Sequence, residues 1–142
     1  MLADELDYVI GVDTHRDQHV LAVVRAPAGA VIARRAIGAD GRGYREALCF
    51  AEQMAAGKRA WAIEGSGSYG AGLARYLSEH GEAVLEISRT LRAERRLAGK
   101  DDSLDAIRTA RAALASDTPA RPRSGQRREA LRLLLITRRS AV

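Results

Sequence analysis

The sequence predicts an α/β domain: a mixed five-stranded sheet with helices on its faces, plus a C-terminal helix. Three observations carry that expectation. Three apolar, β-branched runs fall within the first 37 residues, joined by turns too short for anything but antiparallel pairing. Two later apolar runs, around Trp61 and Leu85, each follow a helical stretch, as a parallel crossover requires. The hydrophobic spacing changes from strand-like to helical wherever those stretches begin.

The first strand is expected over residues 7–13, where Tyr8-Val9-Ile10-Gly11-Val12 delivers one carboxylate, Asp13, at its end. Five mostly polar residues, Thr14 to Gln18, then read as a hairpin turn into a second strand over 19–26. After the turn Ala26-Pro27-Ala28-Gly29-Ala30, residues 31–37 read as a third strand. Tyr44 to Ala56 carries the apolar spacing of a helix closed by Gly57. Ala60-Trp61-Ala62-Ile63-Glu64 is a short strand that again ends in a carboxylate. Residues 69–80 form a helix closed by Gly81, and Ala83 to Ile87 the fifth strand. Residues 88–98 are basic and read as a helix or ordered loop, broken at Gly99. Asp102 to Ala115 is a helix rich in Ala, Leu, Ile and Arg. This order of elements is that of the ribonuclease H-like fold.

The domain is expected to occupy residues 1–117, with a Pro-containing linker over 118–125. Residues 126–142 begin a further helix, with Leu131, Leu134, Leu135 and Ile136 on an apolar stripe. A stripe of that kind favours pairing with a second chain, so a homo-oligomer through this helix is expected.

Length and composition narrow the function. At 142 residues the chain suits one domain with a real core. Aromatic residues make up only 4%, so the core is expected to be Ala, Val, Leu and Ile around Trp61. The single Cys49 excludes an internal disulfide framework and a cysteine zinc site, and fits a reducing interior. No basic, apolar leader opens the chain and no run approaches the roughly 20 apolar residues of a membrane span. A cytoplasmic protein without a membrane partner is expected. Residues 1–88 hold 9 basic and 12 acidic residues, a balance of −3. Residues 89–142 hold 14 and 6, a balance of +8, the sign expected for meeting a polyanion. Arg92, Arg95, Arg96, Lys100 and Arg108 are the candidate phosphate contacts.

Four carboxylates are candidates for one site. Asp13 and Glu64 end two strands expected to be neighbours, and Asp102 and Asp105 are three apart at the start of one helix, on one face. An oxygen-rich set without thiols suits hard cations, Mg²⁺ or Mn²⁺. A metal pair about 3.5–4 Å apart can stabilise the attacking and leaving oxygens of a phosphodiester displacement. Acids in a first turn also cap a helix and complement its dipole, which is the plainer account of Asp102 and Asp105. His15 and His19 read as turn residues, although either could serve as a base or ligand. Gly65-Ser66-Gly67-Ser68-Tyr69-Gly70 matches a dinucleotide-binding fingerprint, with Glu86 as its acidic partner. Glu64 beside the pyrophosphate and the three-stranded meander both speak against that reading. An actin-like ATPase would need two lobes, for which the chain is too short.

Gly11-Val12-Asp13-Thr14-His15, Glu64-Gly65-Ser66-Gly67-Ser68-Tyr69 and Lys100-Asp101-Asp102-Ser103-Leu104-Asp105-Ala106 together resemble the three blocks of the DEDD transposases of the insertion sequence 110 family. The resemblance runs from residue 8 to about 139. It implies a RuvC-like domain whose Asp13, Glu64, Asp102 and Asp105 bind divalent metal, and a DNA transposase or recombinase activity that mobilises an insertion sequence. It further implies DNA and a guide non-coding RNA as partners. Asp101 and Ser66 stand where the family usually has Thr. Family members continue into a coiled coil and a second domain with a catalytic serine; the chain is expected to correspond to the catalytic core without that domain. The alternatives are a stand-alone RuvC-like Holliday-junction nuclease and a non-catalytic nucleic-acid-binding module.

Overall fold

The computed structural model describes residues 2–87 and 102–116. Its elements are α1 (Leu2–Glu5), β1 (Tyr8–Thr14), β2 (Gln18–Arg25), β3 (Ala30–Gly38), α2 (Gly41–Met54), β4 (Arg59–Glu64), α3 (Ala71–Glu79), β5 (Ala83–Ile87) and α4 (Asp102–Ala115). The five strands form one sheet in the order β3-β2-β1-β4-β5. β1 pairs antiparallel with β2 and parallel with β4. β2 pairs antiparallel with β3, and β4 parallel with β5. This is the expected mixed sheet: a meander extended by two crossovers.

Boundaries shift at several places, each for a local reason. β1 runs on to Thr14 and β2 starts at Gln18, so the turn is shorter than the polar stretch suggested. Polar Thr14 and His19 pair across the two strands and are both buried. α2 begins at Gly41, because the Asp40 side chain accepts the Gly43 N–H at 2.8 Å and caps the helix. Tyr69 belongs to the turn before α3. The short α1 has no period long enough to read, and is held by burial of Ala3 and Leu6 against α4. The basic stretch 88–98, the linker 118–125 and the helix expected from residue 126 lie outside the described residues. No described helix is long and apolar enough to cross a membrane.

Alternation along the strands gives the sheet two apolar faces. On one, Ile10, Val12, Leu21, Trp61 and Ile63 pack against Phe50, Ala47 and Ala51 of α2 and Leu73 and Leu77 of α3. On the other, Val9, Val24, Ala60, Ala62 and Leu85 meet Ala110, Ala113 and Leu114 of α4, while Val20 and Ala22 meet Ala106 and Ile107. Val20 lies opposite Asp13 and Val24 opposite Val9. The N-terminal end of α4 is therefore at the Asp13 end of β1, and its later turns lie over the start of β1.

One buried polar network braces the first of these faces. Arg59 Nε donates to Glu82 Oε1 at 2.7 Å, and Trp61 Nε1 donates to the same oxygen at 2.9 Å. Arg59 also donates to the Ala55 carbonyl at 3.0 Å, at the C-terminal end of α2. The charges are buried together, as a charge in a core must be. Lys58-Arg59 reads in sequence as a polar lead-in, and only the fold brings Glu82 to it.

Candidate nucleic-acid-cleaving site

The site is built where β1 and β4 end. These strands run parallel with Val12 opposite Ile63, so one step on Asp13 and Glu64 hold neighbouring positions on the same face. That face is the one α4 covers. Both carboxylates are buried, with 7% and 4% of their surface exposed. Thr14 Oγ1 donates to the Glu64 carbonyl at 2.9 Å and ties the two strand ends together. Gly65 then turns the chain away with φ 73°, in a left-handed conformation that suits glycine.

α4 brings its first turn to the same end. Gly11 makes this possible: a Cβ there would run into the Ala106 carbonyl and lie 2.7 Å from Ala110 N. The helix backbone thus rests directly on β1, two residues before Asp13. A glycine inside an apolar strand is the sequence signal for such an approach. Asp105, immediately before Ala106, lies on this first turn, with its side chain mostly buried and Oδ1 3.9 Å from Arg108 Nη1. Asp102 opens the helix; its side chain lies outside the described residues. Among the described residues, no three His, Cys, Asp or Glu side chains come close enough to hold a metal ion. Asp13 and Glu64 are brought side by side, and Asp105 is at the same edge without completing a ligand set with them.

His15 and His19 differ in kind. His15 is in the turn, with Nε2 2.8 Å from Asp13 Oδ2. His19 is a fully buried strand residue whose ring stacks on Tyr44 with centroids 6.4 Å apart. Its Nδ1 accepts the His15 N–H at 3.3 Å. Burial holds the His19 imidazole below its ordinary value of 6.5; the Gln18 backbone hydrogen bond opposes this and the nearby His15 adds to it. Of the basic candidates, Arg108 is half-buried and leans toward Asp105. Arg92, Arg95, Arg96 and Lys100 lie outside the described residues.

Residues 10–142 match the family model of this transposase type, described simply as Transposase. The chain belongs to the DEDD transposases of the insertion sequence 110 family. No curated protein sequence matches this family member. Among solved structures, T. thermophilus RuvC in complex with Holliday junction substrate is similar at 14% identity and a TM-score of 0.57, covering 79% of this chain and 98% of that one. A second Thermus thermophilus RuvC structure has 15% identity and a TM-score of 0.46, covering 90% and 91%. The first likeness agrees with the ribonuclease H-like fold of this transposase-family chain. The chain is thus a transposase-family domain of ribonuclease H-like fold. The dinucleotide-binding alternative has no place in such a fold: Gly65 to Gly70 form the turn that follows Glu64.

Proposed function

We propose that this chain is the metal-dependent catalytic core of a DNA transposase or recombinase that mobilises an insertion sequence. Asp13, Glu64, Asp102 and Asp105 are its ligands for Mg²⁺ or Mn²⁺. The observation that carries the reading is the pair of buried carboxylates at adjacent strand ends, Asp13 and Glu64, under the helix that carries Asp105. Two like charges held side by side repel, and a cation between them removes that cost. The donor set fits a hard cation, being all oxygen with no thiol.

A divalent cation, when bound, would stabilise charge on the attacking and leaving oxygens of a phosphodiester. The protein's own residues supply the geometry. The sheet fixes Asp13 and Glu64, Thr14 locks the two strand ends, and the Gly11 contact sets the height of α4. Arg92, Arg95, Arg96, Lys100 and Arg108 are assigned to the phosphates of DNA, with non-specific affinity that falls steeply with salt. A guide non-coding RNA as partner, on the strength of family membership, and oligomerisation through the apolar stripe of residues 126–142 complete the reading. A stand-alone Holliday-junction nuclease is the second reading, favoured by the likeness that covers nearly all of a RuvC chain.

The test is incubation with supercoiled plasmid, and separately with a four-way junction, in Mg²⁺ or Mn²⁺ beside an Asp13→Asn control. Metal-dependent plasmid nicking lost in the control supports the proposed core. Paired, symmetric cuts confined to the junction would put the second reading first. Cleavage unaffected by Asp13→Asn would refute both.

A further inference from the structure

The β1–β2 turn contains a hydrogen bond that the turn itself does not need. Asp at the start of a turn ordinarily closes it by accepting a backbone N–H two residues on. Here the His15 N–H goes to the Gln18 carbonyl at 3.1 Å and to His19 Nδ1 at 3.3 Å. The turn is closed by those bonds. The Asp13 carboxylate is instead met by the His15 ring, whose Nε2 lies 2.8 Å from Oδ2.

We propose that His15 is a positioning residue: its Nε2–H holds Asp13 Oδ2 and so sets the one carboxylate orientation in which Asp13 meets a divalent cation. This rests on the reading of Asp13 as a metal ligand. His15 is placed by a second histidine acting through the backbone. To accept the His15 N–H, His19 Nδ1 must carry its lone pair, which puts the His19 proton on Nε2 and leaves that ring neutral. Complete burial and stacking on Tyr44 fix the position of the ring. The line of contact therefore runs from Tyr44 on α2 through His19 on β2 and the turn backbone to the His15 ring and Asp13. Carboxylates that bind metal are commonly oriented by such hydrogen-bonded neighbours, and loss of one typically weakens metal binding by about 10–100-fold.

The side chain of His15 is 39% exposed, so its replacement leaves the core intact. Mn²⁺ binding to the purified chain is measured by EPR of the free ion, with thermal melting as the check on folding. Asp13→Asn is expected to abolish the site. His15→Ala is expected to weaken Mn²⁺ binding about 10–100-fold without lowering the melting temperature. His15→Gln, which keeps an N–H donor, is expected to recover most of that loss. Pulsed EPR of Mn²⁺ on the wild-type chain is expected to show no directly bound imidazole nitrogen, and this reading needs no variant. A directly bound nitrogen would make His15 a ligand and overturn the proposal. Wild-type affinity in His15→Ala, with binding lost in Asp13→Asn, would overturn it alone. Wild-type affinity in Asp13→Asn, or no binding by the wild-type chain, would instead overturn the reading of Asp13 on which it rests.

Discussion

Replacing Gly11 by alanine adds one carbon at the point where α4 touches the sheet. That carbon would lie 2.7 Å from Ala110 N and 2.9 Å from Ala110 Cβ, with the Ala106 carbonyl nearer still, while ordinary contact begins at 3.4 Å. The helix would have to retreat by at least about 0.7 Å at Ala110, and further at Ala106. Overpacking usually costs about 1–3 kcal/mol, because side chains can give way. Here the obstacle is backbone over the central strand of the sheet, so a loss of about 3 kcal/mol, the upper end, is expected. With an m-value of about 2 kcal/mol/M, this moves the urea midpoint down by about 1.5 M at unchanged slope.

The same displacement reaches the candidate site. Asp105 precedes Ala106 in the turn that must move, and a binding constellation tolerates only about 0.5 Å. Gly11→Ala is therefore expected to weaken Mn²⁺ binding even where the chain is fully folded. Phe50→Leu, on the opposite face of the sheet, serves as a destabilised control that keeps its affinity. A Gly11→Ala chain with the wild-type urea midpoint would refute the claim that α4 rests on β1 at this point. Lost stability with wild-type Mn²⁺ affinity would refute the link from that contact to the site.

Two further outcomes test the rest of the fold. Glu82→Ala leaves Arg59 charged and buried and takes an acceptor from Trp61, so a loss of about 3–5 kcal/mol is expected by urea denaturation. Arg59→Met with Glu82→Leu should be less damaging than Glu82→Ala alone, and equal or greater damage would count against the buried-charge explanation. His19 is held below its ordinary 6.5 by burial, so the unfolded chain binds the extra proton first as pH falls. Its stabilising contribution is complete above pH 6.5 and declines below it, toward the folded value. His19→Phe should flatten the dependence of melting temperature on pH in that window, and an unchanged profile would show that His19 does not cause it.

The strands were legible as short runs with a clear break on either side, apolar in all but the third, where Arg34 and Arg35 stand mid-strand and exposed. The antiparallel pairing of the first three strands followed from the shortness of their connections. Asp13 and Glu64 stood out because a charged residue ends an otherwise apolar strand in both. Contacts made across the fold were not legible. Arg59 and Glu82 are 23 residues apart, and neither carries a local sign of being buried with the other. His19 was expected to open the second strand, but after His15, Arg16, Asp17 and Gln18 nothing local marked its ring as buried, whereas Val20 to Val24 beside it are all buried and carry it into the core. Gly11 is plain in the sequence as a glycine within an apolar strand, but what approaches it is a helix more than 90 positions away.

The two faces of the sheet position their helices by different means. Against α2 and α3 the space is filled by Trp61, Ile10, Ile63, Phe50, Leu73 and Leu77, large side chains whose rotamers can absorb a small shift. Against α4, Val9, Val20, Val24, Leu85, Ile107 and Leu114 pack as well, but along the helix's line of contact the small residues Gly11, Ala22, Ala60 and Ala62 meet Ala106, Ala110 and Ala113. At Gly11 the helix backbone rests directly on the strand, and there neither can adjust. A helix located in this way delivers its first turn to a defined place beside the end of β1. The alanine-rich, aromatic-poor composition thus has a structural meaning: alignment at the carboxylate edge comes from closeness and not from bulk. It follows that volume-conserving swaps on the α2 and α3 face should be absorbed locally, whereas enlargement at Gly11 is passed along the helix to Asp105.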